Sequence, residues 1–250
     1  MIIEPNTSLV CASLLTGVYD VNRNENLLSD NFDIIKVWYN SILKLNLDAL
    51  IFHNNFSDET VKLYQTNKIK FVKVKYDTSY NPNVYRYFIY RDFFEQHKEN
   101  IVNVFVTDIT DVEVINNPFE QKLFLENNEH LFCGDEQKIL DNEWMNDHST
   151  HLRNNISDFR IYEKKYAEST LLNCGIIGGN INTIIALLNA LVEVHNKYGE
   201  SNKTAFTLDM GVFNFIAKTE FGKNLIHGLP VNSIFKEYEI SNINCWFRHK

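Results

Sequence analysis

Apolar residues along this chain fall into short runs separated by longer stretches with helical spacing. Residues 8–15 form one such run, which stops at Thr16 and Gly17. Across 31–46, Phe32, Ile35, Val37, Trp38, Ile42 and Leu45 recur at near-helical intervals, which predicts a helix. Residues 47–53 read as a buried strand. Ser57 ahead of Asp58, Glu59 and Thr60 reads as a helix cap, because a serine hydroxyl accepts from a first-turn N–H that has no other partner. Residues 69–76 alternate apolar with basic side chains, the pattern of an edge strand with one wet face. An aromatic-rich helix is expected over 84–97 and a fourth strand over 101–106.

Strand and helix in alternation predict an α/β fold with a mostly parallel central sheet flanked by helices. In such sheets ligands gather beyond the carboxyl ends of the strands. The segments to watch are therefore 13–17, 53–55, 76–79 and 107–112. The last third changes character. Residues 123–132 read as strand and turn, and 136–153 as polar, irregular or helical. An apolar run over 171–180 carries Gly175, Gly178 and Gly179 and leads into a helical stripe of Ile184, Ile185, Leu187, Leu188, Leu191 and Val192. A further helix is expected over 209–217, with short strands and loops over 226–250. No Pro/Ser-rich linker or repeat interrupts the pattern, so residues 1–250 read as one domain.

Charge narrows the ligands. Twenty-four basic against 32 acidic residues give a net charge of −8, which argues against nucleic acid as a partner. An anionic ligand would then need a metal or a few local cations. No apolar run approaches the ~20 residues of a membrane span, and no basic stretch precedes an apolar one at the start of the sequence. The four cysteines lie far apart without a C-x-x-C pair, so reduced, buried thiols in the cytoplasm are the expectation.

Candidate chemistry sits in three places. The apolar strand Val104-Phe105-Val106-Thr107 runs into Asp108 and Asp111. Two nearby carboxylates repel, and a shared Mg²⁺ or Mn²⁺ relieves that repulsion; the alternative is a turn capped by Asp108. Gly178 and Gly179 just before a helix could form an anion site or a tight turn, although no G-x-G-x-x-G is present. Finally, Cys245, Trp246 and Phe247 are apolar enough to dock the last residues, which would bring His249, Arg248 and Lys250 to a site. His227 ahead of Gly228 could meet phosphate or satisfy a turn. His195, near the end of an apolar helix, reads as structural or as paired with the helix dipole. Arg86, among Tyr85, Tyr87, Phe88 and Tyr90, could stack on a base or fill an aromatic surface.

The order of these features resembles the GT-A class of nucleotide-sugar glycosyltransferases, with a glycogenin-like and lipopolysaccharide galactosyltransferase-like layout. Asp108-Ile109-Thr110-Asp111 is similar to the metal-binding D-x-D region, with an extra residue between the acids. The segment from Asn173 to Gly179 resembles the N-x-G-x-x-x-G strand beneath the sugars, and Asp209, Met210 and Asn214 resemble the helix start that follows. His227 and His249 resemble late elements of those families. The resemblance implies a Mn²⁺- or Mg²⁺-dependent transferase using a nucleotide sugar, commonly a UDP-sugar, and a glycan or other hydroxyl acceptor. It implies Asp108, Asp111 and His249 as metal ligands, and Asn173 and Asp209 as groups on the reacting sugars. Ser13, Arg86, Asp108, Gly178, His227, Lys236 and Lys250 are the implied donor contacts, with Arg248 as an alternative cation. Retention is the stereochemical outcome it favours. A sugar-1-phosphate nucleotidyltransferase and a non-catalytic sugar- or partner-binding module are the competing expectations.

Overall fold

The computed structural model describes residues 3–20, 25–198, 208–236 and 244–250. The first apolar run is β1 (Thr7–Leu14), followed by a small antiparallel hairpin, β2 (Tyr19–Asp20) and β3 (Glu25–Asn26). The helix expected over 31–46 divides in two. A 3₁₀ turn over Phe32–Ile35 precedes α1 (Lys36–Leu45), because the Asn31 side chain caps the turn by accepting from the Asp33 N–H. α1 ends on Asn46 in the left-handed conformation (φ 53°), a role asparagine fills with less strain than most residues. β4 (Ala49–His53) is buried throughout. Ser57 caps α2 (Asp58–Tyr64) as expected, accepting from the Thr60 N–H at 3.1 Å. β5 (Ile69–Lys73) is the sheet edge, and α3 (Pro82–His97) opens on an Asn81 cap with proline in its first turn.

β6 (Ile101–Thr107) leads into β7 (Val112–Val114). The stretch expected as strand and turn over 123–132 is a short helix, α4 (Lys122–Glu126), and the strand starts only at β8 (Leu131–Ile139). β8 thus extends into the segment read as irregular. Its polar residues are carried there by pairing with a neighbouring strand, which a hydrophobic pattern does not reveal. Three short helices follow, α5 (Glu143–His148), α6 (Thr150–Asn155) and α7 (Phe159–Tyr166). The glycine-bearing run is β9 (Thr170–Asn180), and then come α8 (Ile181–Tyr198), α9 (Leu208–Glu220), β10 (Leu225–His227) and β11 (Phe247–His249).

Seven strands form one sheet in the order β10-β8-β9-β6-β1-β4-β5. The pairs β5–β4, β4–β1, β1–β6 and β8–β10 are parallel, and β9 runs antiparallel between β6 and β8. Alternation along the central strands sends side chains to opposite faces. Leu9 and Cys11 pack with Tyr87, Phe94, Leu188 and Phe213 of α3, α8 and α9. Val10 and Ala12 pack with Trp38 and Ile42 of α1 and with Val112 and Phe247. β11 pairs antiparallel with β7 in a separate ribbon on that second face. Trp246 and Phe247 are buried there, so the last residues are docked as expected. No helix among the described residues is long and apolar enough to cross a membrane.

Candidate metal centre and its clefts

β6 lies in the middle of the sheet and is held on both sides, so its carboxyl end is a fixed point. The Trp38 indole N–H donates to the Thr107 hydroxyl at 2.7 Å, tying α1 to the last residue of the strand. One residue on, the Asp108 N–H donates to the Gly175 carbonyl at 2.8 Å. The chain then turns through Asp111 into β7. Because β7 pairs with β11 in the register His249↔Val112, the imidazole arrives opposite the turn. The Lys250 N–H donates to the Asp111 carbonyl at 2.9 Å and locks that register.

Asp108, Asp111 and His249 each offer a ligand atom, and these atoms lie within 4.8 Å of one another. His249 Nε2 is 3.8 Å from an oxygen of each aspartate. Ligand atoms around one cation at about 2.1 Å stand between roughly 3 and 4.2 Å apart, and both 3.8 Å His249–aspartate separations fall in that range, so the imidazole and each carboxylate can meet at one ion. The donor set of two carboxylates and one imidazole suits Mn²⁺ or Mg²⁺ better than a thiolate-loving metal. His249 is 2% exposed, and its Nδ1 has no hydrogen-bond partner among the described residues. The residues present thus fit a divalent cation. The extra residue between the two acids does no harm, since the turn brings both to the same spot.

Gly175 keeps the site open. A Cβ there would lie 2.4 Å from the His249 ring and 2.6 Å from an Asp108 oxygen. The neighbouring Asn173 accepts from the Gly175 N–H at 2.7 Å and donates to Glu136 at 3.0 Å. Arg86 is 7% exposed and donates to Asp108 through Nη1. Its Nη2 lies 3.8 Å from an Asp209 oxygen and donates to the Cys174 carbonyl at 3.3 Å. Arg86 is therefore a buried link between two acids; its guanidinium also lies over the Tyr87 ring at 5.3 Å, in keeping with the aromatic surface expected around it, and it lines both clefts. Burial pushes the Asp209 carboxyl above the usual carboxylate range, while the Arg86 guanidinium pulls it down.

Two clefts share Arg86, Asp108, Asp111 and Lys236 as walls. Asn83 is a further shared wall, and the larger cleft, about 500 Å³, also takes in Ser13, Tyr19 and Lys250. The smaller, about 350 Å³, takes in Glu136, Trp144, Asn173, Asp209, Phe235 and His249. Lys236 holds a left-handed backbone (φ 62°), an uncommon state for a residue with a Cβ, and its N–H donates to the His249 carbonyl at 3.3 Å.

Three expected contacts lie elsewhere. Gly178 sits against the Phe105 ring, where a Cβ would come within 2.1 Å, so its smallness serves the core and it lines neither cleft. His227 is paired with Asp135 at 2.8 Å on β10, outside both clefts. Arg248 is turned away from His249 and donates to Glu113 at 2.8 Å. Sequence reasoning missed Glu136, Trp144 and the role of Gly175. Only for Gly175 was a signal present: it stands two residues from Asn173, hence on the same strand face. Comparison with protein-family models and with curated proteins finds no match for the chain.

Proposed function

We propose that this chain is a metal-dependent glycosyltransferase of the GT-A type, moving a sugar from a nucleotide diphosphate donor, a UDP-sugar foremost, to a hydroxyl of a glycan or similar acceptor. The observation that carries the reading is the Asp108–Asp111–His249 trio at the carboxyl end of a central strand, with clefts on either side. The mixed α/β sheet is compatible with it. Four stretches far apart in sequence converge there: the acids after β6, the Asn173–Gly175 part of β9, Asp209 at the start of α9, and His249 on β11.

Asp108, Asp111 and His249 would hold the cation. A divalent ion bound there supplies charge against the diphosphate leaving group. In a chain of net charge −8, Lys236 and Lys250 on the larger cleft offer the further positive charge that a diphosphate needs. Asn173 and Asp209 present an amide and a carboxylate to sugar hydroxyls on the smaller cleft. The Asp209 carboxylate is already engaged by Arg86, so it is a poor free base. An inverting transfer needs a base on the acceptor hydroxyl; Glu136, the other carboxylate of the smaller cleft outside the metal trio, is engaged by Asn173 and Lys138, so retention is favoured.

The test is calorimetric titration of UDP into the protein with Mn²⁺ and again with EDTA, followed by a screen for slow Mn²⁺-dependent hydrolysis of UDP-sugars. Binding should collapse on chelation. Equal affinity in both buffers overturns the metal role and, with it, this function.

A further inference from the structure

The chain has three tryptophans. Trp38 and Trp246 are 0% and 2% exposed and belong to the core, whereas Trp144 is 37% exposed and lines the smaller cleft. An indole left in water forgoes much of the burial that so large a ring otherwise contributes, so its placement at a cleft wall asks for a ligand. Its setting is built. The Asn142 side chain accepts from the Met145 N–H at 3.1 Å and fixes the start of α5. Met145 is buried. One turn on, the His148 ring stacks on the indole with centroids 4.3 Å apart and planes 21° from parallel. His148 Nδ1 lies 2.6 Å from the Trp144 carbonyl, which restrains the stacked pair.

Opposite chemistry surrounds this flat apolar ring. Glu136, Lys138, Asn142 and Asn173 line the same cleft, and Glu136 accepts from Asn173. An aromatic face carries negative charge density and attracts polarised C–H groups. Carboxylate, amide and ammonium groups beside it accept from and donate to hydroxyls. That combination matches a pyranose, which has one C–H-rich face and a rim of hydroxyls. The cleft volume, about 350 Å³, is of small-molecule size.

We infer that the smaller cleft is a saccharide subsite, in which Trp144 stacks on the apolar face of a neutral sugar and Glu136 and Asn173 hold its hydroxyls. The inference rests on the glycosyltransferase reading for its meaning: the acceptor is a carbohydrate, and it enters on the Trp144 side. A basic peptide is the rival occupant, since a cation also lies well on an indole. Four carboxylates share those walls, but Asp108 and Asp209 are engaged by Arg86 and Glu136 by Asn173 and Lys138, and Lys138 and Lys236 repel a second cation.

With the other two tryptophans buried, acrylamide quenching of tryptophan fluorescence reads Trp144. The probes are lactose, maltose, cellobiose and chitobiose at high concentration, with tri-arginine as the rival. At least one disaccharide should roughly halve the quenching constant, as expected when the exposed face is covered. Trp144→Phe should keep saturation-transfer NMR signals of that sugar, and Trp144→Ala should lose them. Protection by tri-arginine alone, or by none of the probes, overturns the inference. The quenching uses the unaltered protein, so it decides even if Trp144→Ala fails to fold. The UDP titration with Mn²⁺ separates the two proposals. Nucleotide binding without sugar protection removes the subsite and keeps the transferase. Sugar protection without metal-dependent UDP binding does the reverse.

Discussion

The four parallel strands β5, β4, β1 and β6 and the edge where β6, β7, β9 and β11 meet are built by different rules. The parallel strands come in succession with helices between them, and apolar side chains cover both faces. Their attraction is non-directional and scales with buried area, so no single contact decides it. The edge is assembled from segments remote in sequence and held by charges, an amide and a bare glycine. Directional contacts among buried polar groups have few substitutes. The first region should therefore lose stability gradually under mutation, while the second should lose its site at a stroke.

Arg86 is where that difference should be largest. Replacing it by methionine keeps volume and removes the cation that links Asp108 and Asp209. A buried carboxylate left without its partner costs about 3–5 kcal/mol at neutral pH. Burial already raises the Asp209 pKa, and losing Arg86 raises it further. Arg86→Met should then be markedly destabilised in urea at pH 7.5 and recover toward wild type as the pH falls and Asp209 takes up a proton. A deficit that does not change with pH would show that Arg86 acts by packing alone.

His249 comes next. It adds an imidazole to two carboxylates that are already adjacent. His249→Ala should lower Mn²⁺ affinity by about 100-fold, at least the loss typical when a metal site loses a supporting group. Stability in the absence of metal should change far less, because Trp246 and Phe247 still dock the segment. Mn²⁺ electron paramagnetic resonance reads free against bound ion directly. Wild-type affinity in the variant would leave the site to the two aspartates.

The same contrast explains what could be read from the sequence. Val104 to Thr107 running into Asp108 is a local pattern, so both strand and acids were legible. Apart from the family resemblance, His249 was legible through Trp246 and Phe247, whose apolarity indicated docking without saying where. The ribbon register with Val112 does that, and it is a long-range fact. The contact of Arg86 with the Tyr87 ring was legible in its aromatic neighbours, while its partners Asp108, Cys174 and Asp209 come from elsewhere in the sequence and were not. The strand in β8 was hidden because pairing with β9 sustains its polar half.

Two glycines on β9 put both rules in one strand. Gly178→Ala drives a Cβ into the Phe105 ring at 2.1 Å, a case of overpacking that costs about 1–3 kcal/mol of stability. Gly175→Ala drives a Cβ against His249 and Asp108 at 2.4 and 2.6 Å. That change should spoil Mn²⁺ binding more than it lowers the melting temperature. Thermal melts paired with Mn²⁺ titrations of both variants test the contrast. It fails if the two lose stability and metal affinity in the same proportion.

The smallest effect concerns a polar group inside the apolar region. His195 on α8 is 1% exposed, stacks near Tyr87, and neither ring nitrogen has a hydrogen-bond partner among the described residues. Burial lowers its pKa to about 4 from 6.5. In the unfolded chain the ring takes a proton near pH 6.5, whereas the folded protein resists until about pH 4. The unfolded state thus binds more protons in that window, and stability falls as the pH falls through it. At pH 5.5 the loss from this one group is roughly 1 kcal/mol. Asp209 and His195 are both buried, but Arg86 stands beside only the first, so burial is opposed there and unopposed here. Urea denaturation of His195→Leu at pH 7.5 and 5.5 isolates the effect, because every other titrating group is common to both proteins. The gap between variant and wild type should widen in the variant's favour at the lower pH. A gap that stays constant would mean that water or a partner reaches the ring and that this part of the core is less dry than its packing implies.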